Sequence, residues 1–351
     1  MPEPRVPSPY ADRLGAIPTE RGLVEVGGRA AHYWVYGDAA APTTIVAVHG
    51  FRGDHHGLEP VVAFLAGPDA PGERVRVISP DLPGFGESEA LTDREHSVAT
   101  YAEWLRGFLR ALDLGPETIL LGHSFGSIVS SAACASGLDV AKLILVNPIA
   151  APALSGPRGV LTRLAVFYYW AGARLPERAG YRILGSRLVT RIASLAMVKT
   201  KQSALRAWVH DQHDVYFSRF ASRQVVLEAF QASVSSDVST YARDIRVPVL
   251  LVAADRDDIT ALPAQYELQT LFADAQLDVI RGVGHLIHYE KPREAAVAIQ
   301  DFLRLPAPPP LRSTSSSTAA TCGWVGTTAS ADSRPGWHRL SFRWLALQGT
   351  T

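Results

Sequence analysis

The chain reads as an α/β protein: a mostly parallel central sheet with helices on both faces and a helical cap inserted after the sixth strand. Three observations carry that reading. Short runs rich in β-branched residues alternate with helix-length amphipathic segments, the rhythm of strand-helix-strand units. Thr118-Ile119-Leu120-Leu121 runs through Gly122-His123-Ser124-Phe125-Gly126 into the small-residue stretch 127–136, which is strand, sharp turn and helix in succession. From Asn147 to about Arg246 the strand signal stops while helical spacing continues.

Residues 1–20 form a polar, proline-rich lead-in without the apolar stretch of a secretory leader. Leu23 to Val26 and Ala30 to Tyr36 meet at Gly27-Gly28, a hairpin signal. Thr43 to Val48 and Val75 to Ser79 are strands, each ending in a glycine-containing loop. Ser97 caps a helix to Leu112, whose apolar residues Val98, Tyr101, Leu105, Phe108, Leu109 and Leu112 repeat near 3.6. Ala141 to Val146 is the sixth strand. The insertion then offers four helical stretches, Gly159 to Ala173, Arg182 to Val198, Leu205 to Phe217 and Ser222 to Ala242. Strands resume at Val247 to Ala253 and Ala275 to Ile280, and Lys291 to Leu303 is the last helix. The core is therefore expected over 21–147 and 247–305 and the cap over 148–246. Residues 306–351 open on Pro-Ala-Pro-Pro-Pro and lack any periodic apolar face, so they are expected to be a disordered tail.

With 47% apolar residues, the 351-residue chain can bury a large core. The formal net charge is zero, which gives no reason to expect nucleic acid or an anionic membrane as partner. The apolar run from Leu164 to Trp170 is too short to span a bilayer. Cys134 and Cys322 make no disulfide framework. A cytoplasmic protein acting on a small molecule is expected, with oligomeric state open.

The chemistry concentrates at Ser124. A turn that tight needs nearly side-chain-free neighbours, and Gly122 and Gly126 flank the serine two residues either side. A serine hydroxyl needs a base and an acid to orient that base. His285, in Gly282-Val283-Gly284-His285, supplies the base. The turn Asp255-Arg256-Asp257-Asp258 supplies the acid, taken as Asp257. The glycine-flexed loop His49-Gly50-Phe51-Arg52-Gly53 presents a backbone N–H from Phe51 opposite that of Phe125, making an oxyanion hole. Asp81 and its glycines shape a loop. Asp54 caps a helix start, because adjacent histidines such as His55 and His56 rarely converge on a metal. His210, Asp211, His213 and Asp214 are assigned to a solvated or locally paired helix face, and His288 to structure. Neither metal nor cofactor is expected. Arg52 is a candidate for meeting a substrate carboxylate, and Phe167, Tyr169, Trp170, Trp208 and Tyr216 are candidates for an aromatic pocket wall.

These residues resemble the α/β-hydrolase fold superfamily, in particular its capped serine hydrolases. The resemblance rests on the His49-Gly50 loop, the Asp81-to-Ser88 stretch D-x-P-G-x-G-x-S, the G-x-S-x-G turn, the acid turn and the G-x-G-H segment, in family order across residues 44 to 304. The family's acid turn is G-x-x-D-x-I. Here Ala254 replaces the glycine and Asp258 stands in place of a common proline, which aligns Asp257 and leaves Asp255 and Asp258 as alternatives. Serine at 124 separates the chain from epoxide hydrolases and haloalkane dehalogenases, which resemble it elsewhere but carry aspartate there. The resemblance implies cofactor-free cleavage of a small to medium apolar carboxylic ester through an acyl-enzyme. Alternatives are a carbon-carbon bond hydrolase of ring-cleavage dienones, in which tryptophan typically occupies the position of Leu286, a cofactor-free haloperoxidase or acyltransferase, and a non-catalytic small-molecule receptor.

Overall fold

A computed structural model describes residues 4–152, 159–217 and 219–305, leaving aside the side chains of 159–164. The expected disordered tail, residues 306–351, lies outside the described residues. The strands are β1 Thr19–Val26, β2 Arg29–Tyr36, β3 Thr43–Val48, β4 Val75–Pro80, β5 Ile119–His123, β6 Lys142–Val146, β7 Val249–Ala254 and β8 Ala275–Ile280. They form one sheet in the order β1-β2-β4-β3-β5-β6-β7-β8. β1 and β2 are antiparallel to each other, β2 is antiparallel to β4, and every other pairing is parallel. The β1–β2 turn is made by Gly27 and Gly28, both at positive φ, where a side chain would be strained.

Helices α1 Ala11–Gly15, α2 Glu59–Leu65, α3 Val98–Ala111 and α4 Phe125–Ala135 accompany the first six strands. Ser97 caps α3 by accepting from Thr100 N–H. Parallel strands buried on both faces divide their side chains by parity. Val46, Leu120, Leu145 and Leu251 join the cluster that contains α3 and α4 residues. Ile45, Leu121, Ile144 and Leu250 join the opposite cluster. Each fully buried Leu or Ile contributes about 1.5–3 kcal/mol, so this double-sided layer fixes the strand ends from which the site projects.

Between β6 and β7 lie α5 Gly159–Arg174, α6 Glu177–Leu184, α7 Arg187–Met197, α8 Ser203–Tyr216, α9 Arg223–Ser235 and α10 Ser239–Ala242. Two expected helices here are each broken in two. The stretch from Arg182 is cut at Gly185-Ser186, where Gly185 N–H closes the end of α6 on Tyr181 O. The stretch from Ser222 is cut after Ser235, where Asp237 accepts from Ser239 N–H at 2.9 Å and competes with helical bonding. The final elements are α11 Leu262–Gln269, α12 Ile287–Glu290 and α13 Pro292–Leu303.

The N-terminal lead-in is tied down. Asp211 on α8 accepts from Arg5 and Val6 N–H at 2.7 and 3.0 Å, and Tyr10 donates to Tyr289 O at 2.7 Å while packing edge-on against Trp208.

Candidate active site

Consecutive strands leave β3 in opposite directions across the sheet, to β4 on one side and β5 on the other. The crevice beyond the carboxyl ends at such a reversal is where open α/β sheets place ligands. The β3 end contributes His49 to Gly53, and the β5 end contributes Ser124. Ser124 sits at φ 52°, ψ −116°, a conformation that its tight surroundings enforce. A Cβ on Gly126 would lie 2.3 Å from Val48 O, and one on Gly122 would lie 2.4 Å from Gly126 O. Glycine at 126 lets α4 start this close to β3, and glycine at 122 lets α4 fold back this closely over β5.

His285 Nε2 lies 2.9 Å from Ser124 Oγ, and His285 Nδ1 lies 2.8 Å from Asp257 Oδ2. Burial alone pushes the Asp257 carboxyl up. His285 and the Ile259 and Thr260 N–H groups outweigh that and hold it below its ordinary range. An ionised Asp257 only accepts, so Nδ1 carries the proton and Nε2 of the neutral ring accepts from the serine hydroxyl. Asn147 Nδ2 donates to the same Oδ2 at 3.2 Å. The other two aspartates of the turn are engaged elsewhere. Asp255 accepts from Gly282 N–H at 2.7 Å, and Asp258 pairs with Lys199.

The N–H of Phe125 opens α4, where the helix dipole favours negative charge. Among the described residues neither this N–H nor that of Phe51 finds a protein acceptor. The Phe51 loop is held by His49, whose Nε2 accepts from Leu82 N–H at 2.8 Å and whose Nδ1 lies 2.8 Å from Gly50 O. Burial lowers the His49 pKa, which keeps the ring neutral for that double role.

A cavity of about 470 Å³ lies over Ser124 and His285. Tyr169 is in its wall, stacked on Phe230 and edge-on to Phe51. The other aromatic candidates lie elsewhere. Phe167 and Trp170 are 62% and 43% exposed, since on a helix they share a face turned away from Tyr169. Trp208 is buried against Tyr10 and Tyr289, and Tyr216 is stacked on His56. A run of aromatics in sequence gives no helical phase, and here the phase selects Tyr168 and Tyr169.

Arg52 lines the cavity, but its guanidinium already has partners. It donates to Phe217 O at 2.6 Å, Leu184 O at 3.0 Å and Tyr169 Oη at 3.3 Å. The two carbonyls close α8 and α6, whose negative dipole ends offset the buried cation. Arg52 thus ties the Phe51 loop to the inserted helices, at the cost of a left-handed backbone, φ 60°. Residues missed from sequence include Val189, Ala193 and Met197 of α7, whose i, i+4, i+8 spacing marks one face. His123 was missed too. Burial and the neighbouring His285 push its pKa down to about 3, and its ring lies 4.0 Å from that of His288, which also lines the cavity.

The remaining polar clusters are paired internally. Asp54 accepts from His56 N–H, as a cap does, yet the His55 and His56 rings approach to 3.9 Å instead of diverging. Their donor atoms and that of Asp54 fall within 4.8 Å of one another. His55 is bonded to Asp81 at 2.9 Å and His56 to Asp54 at 3.1 Å, pairings that account for the convergence. His210 and His213 both lie 2.6 Å from Ser194 Oγ, and Asp214 pairs with Arg191. Asp81 shapes its loop through His55 and Glu87 N–H.

The fold and this site define a hydrolase. The chain belongs to the alpha/beta hydrolase family, whose model matches residues 45–299. It is 28% identical over 236 residues to a 2-hydroxy-6-oxo-2,4-heptadienoate hydrolase of Pseudomonas putida, covering 65% of this chain and 78% of that one. Two solved esterases share the fold. The one from Exiguobacterium antarcticum has a TM-score of 0.65 at 16% identity, covering 82% of this chain and 100% of that one. The one from Thermogutta terrifontis has a TM-score of 0.62 at 20% identity, covering 81% and 98%. No helix among the described residues is long and apolar enough to cross a membrane.

Proposed function

We propose that the chain is a serine hydrolase that cleaves small to medium apolar carboxylic esters. The observation that carries this reading is the continuous chain from Asp257 through His285 to Ser124, opening into a largely apolar cavity. Ser124 Oγ attacks the ester carbonyl carbon while His285 Nε2 takes its proton, and the carbonyl electrons move onto an oxygen facing the Phe51 and Phe125 N–H groups. Collapse expels the alcohol, which takes the proton from His285. Water then attacks the acyl-enzyme with the same proton relay and releases the acid and Ser124. Asp257 holds the imidazole tautomer and stabilises the imidazolium.

A carbon-carbon bond hydrolase is the second reading, favoured by similarity to the Pseudomonas putida enzyme. Arg52 weighs against it, because three of its five N–H donors, one on each nitrogen, are already held by protein oxygens, which leaves it less free to meet the carboxylate of a dienoate. Parallel assays with nitrophenyl esters and with an oxo-dienoate decide between them. Ester turnover that disappears in Ser124→Ala supports the first reading, and faster cleavage of the dienoate overturns it.

A further inference from the structure

The zero net charge of the whole chain conceals a segregation. Between Ala165 and Met197 stand five arginines, Arg174, Arg178, Arg182, Arg187 and Arg191, against one acid, Glu177. All but Arg191, which pairs with Asp214, are exposed. The same helices expose large apolar side chains. On α7 Leu188, Ile192 and Leu195 are 71%, 59% and 49% exposed at i, i+4, i+7, and on α5 the Phe167 and Trp170 rings stack in solvent, with Arg174 over Trp170. Single exposed apolar residues are ordinary, but rows of them on helix faces mark a surface that something covers. Val189 and Ala193 of α7 are exposed and also line the cavity, so the mouth of the cavity opens beside this row.

We propose that the outward faces of α5 to α7 dock the protein on an anionic phospholipid surface and bring the cavity mouth to lipid-borne esters. The combination is that of an interfacial helix, with aromatic and aliphatic residues entering the acyl boundary while arginines meet lipid phosphates. Charge complementarity selects this occupant. A second copy of the chain would set arginines against arginines. The chain's own 306–351 segment, with Arg312, Arg334, Arg339 and Arg343 against Asp332, has the same sign. RNA would satisfy the charge but leave Leu188, Ile192 and Phe167 in water. Docking stands on the surface alone, whereas the lipid-ester clause rests on the serine hydrolase reading.

The test is sedimentation of the full chain with vesicles of phosphatidylcholine, with and without phosphatidylglycerol, alongside turnover of a soluble nitrophenyl ester. Wild type sediments with the anionic vesicles only, and added salt releases it. Leu188→Ser/Ile192→Ser and Arg178→Glu/Arg182→Glu each weaken binding by about tenfold or more, while soluble-ester turnover and melting temperature match wild type. Wild type left in the supernatant, or variants that bind as wild type does, overturns docking. So does self-association abolished by these substitutions, or tighter binding to RNA than to vesicles. Vesicle binding without any ester turnover would retain docking and overturn the hydrolase reading.

Discussion

Replacing Asp257 by Asn changes one atom's chemistry with almost no change in shape, and the surrounding hydrogen bonds dictate how the amide sits. Ile259 and Thr260 N–H groups, at 2.7 and 3.2 Å from Oδ1, demand an acceptor there, so the new NH₂ must take the place of Oδ2. It then faces His285 Nδ1 and forces that nitrogen to accept. The ring proton moves to Nε2, which now donates to Ser124 Oγ and cannot receive its proton. Asn147 relieves its own donor-donor clash by turning its amide, because its Oδ1 is buried and without a partner. Loss of a correctly oriented general base is worth about 10⁴ in kcat, or about 5.5 kcal/mol at 1.36 kcal/mol per tenfold. The assay is steady-state hydrolysis of a nitrophenyl ester by wild type, Asp257→Asn, Asp255→Asn and Asp258→Asn, with melting temperatures as the control for folding. A loss below about tenfold at Asp257, or an equal loss at Asp258, whose partner is Lys199, refutes the reasoning.

Gly126→Ala places a Cβ 2.3 Å from Val48 O, so backbone must shift. Calorimetry should show a cost of about 1–3 kcal/mol, with activity falling as the elbow moves. An unchanged melting temperature would show that α4 has room the structure denies. Tyr169→Ala opens the wall beside Phe230 and Phe51 and should shift preference toward longer acyl chains, with turnover of the shortest ester within about threefold of wild type. An unchanged chain-length profile would exclude this wall from the acyl site. Burial and nearby His210 push the His213 pKa down from 6.5 to about 3. Its folded-state value is depressed, so the unfolded chain binds the extra proton and stability falls as pH drops from about 6.5 toward about 3. Melting temperatures across that window should fall less steeply for His213→Leu than for wild type, and parallel curves would refute the assignment.

The elements nearest the site are the ones most legible in the amino-acid order. Glycines at 122 and 126 around a serine, a β-branched run before them and a small-residue run after them specify one local geometry, and the structure shows strand, elbow and helix there. Asp257 and His285 follow the ends of β7 and β8, where a parallel sheet must deliver them to the same edge. What could not be read are properties of helical phase and of long-range pairing. The run from Phe167 to Trp170 gave aromatic content but not which ring faces inward. Arg52 looked available because the carbonyls that hold it, from Leu184 and Phe217, lie far along the chain. The proline-rich lead-in offered no period, yet Asp211 and Trp208 give it a seat on α8. Net charge is silent on distribution for a different reason: a sum over the chain does not show that arginines concentrate on α6 and α7.

The central claim is that Ser124 is the nucleophile, and covalent labelling tests it most directly. Treatment of the full chain with a fluorophosphonate, followed by peptide mass mapping, should place one adduct on the peptide containing Gly122-His123-Ser124-Phe125-Gly126. Ser124→Ala should abolish it without lowering the melting temperature, since alanine fits the same space. His285→Ala should slow labelling by at least about a hundredfold. An adduct on any other serine, or labelling of Ser124 at an unchanged rate when His285 is removed, would contradict the account.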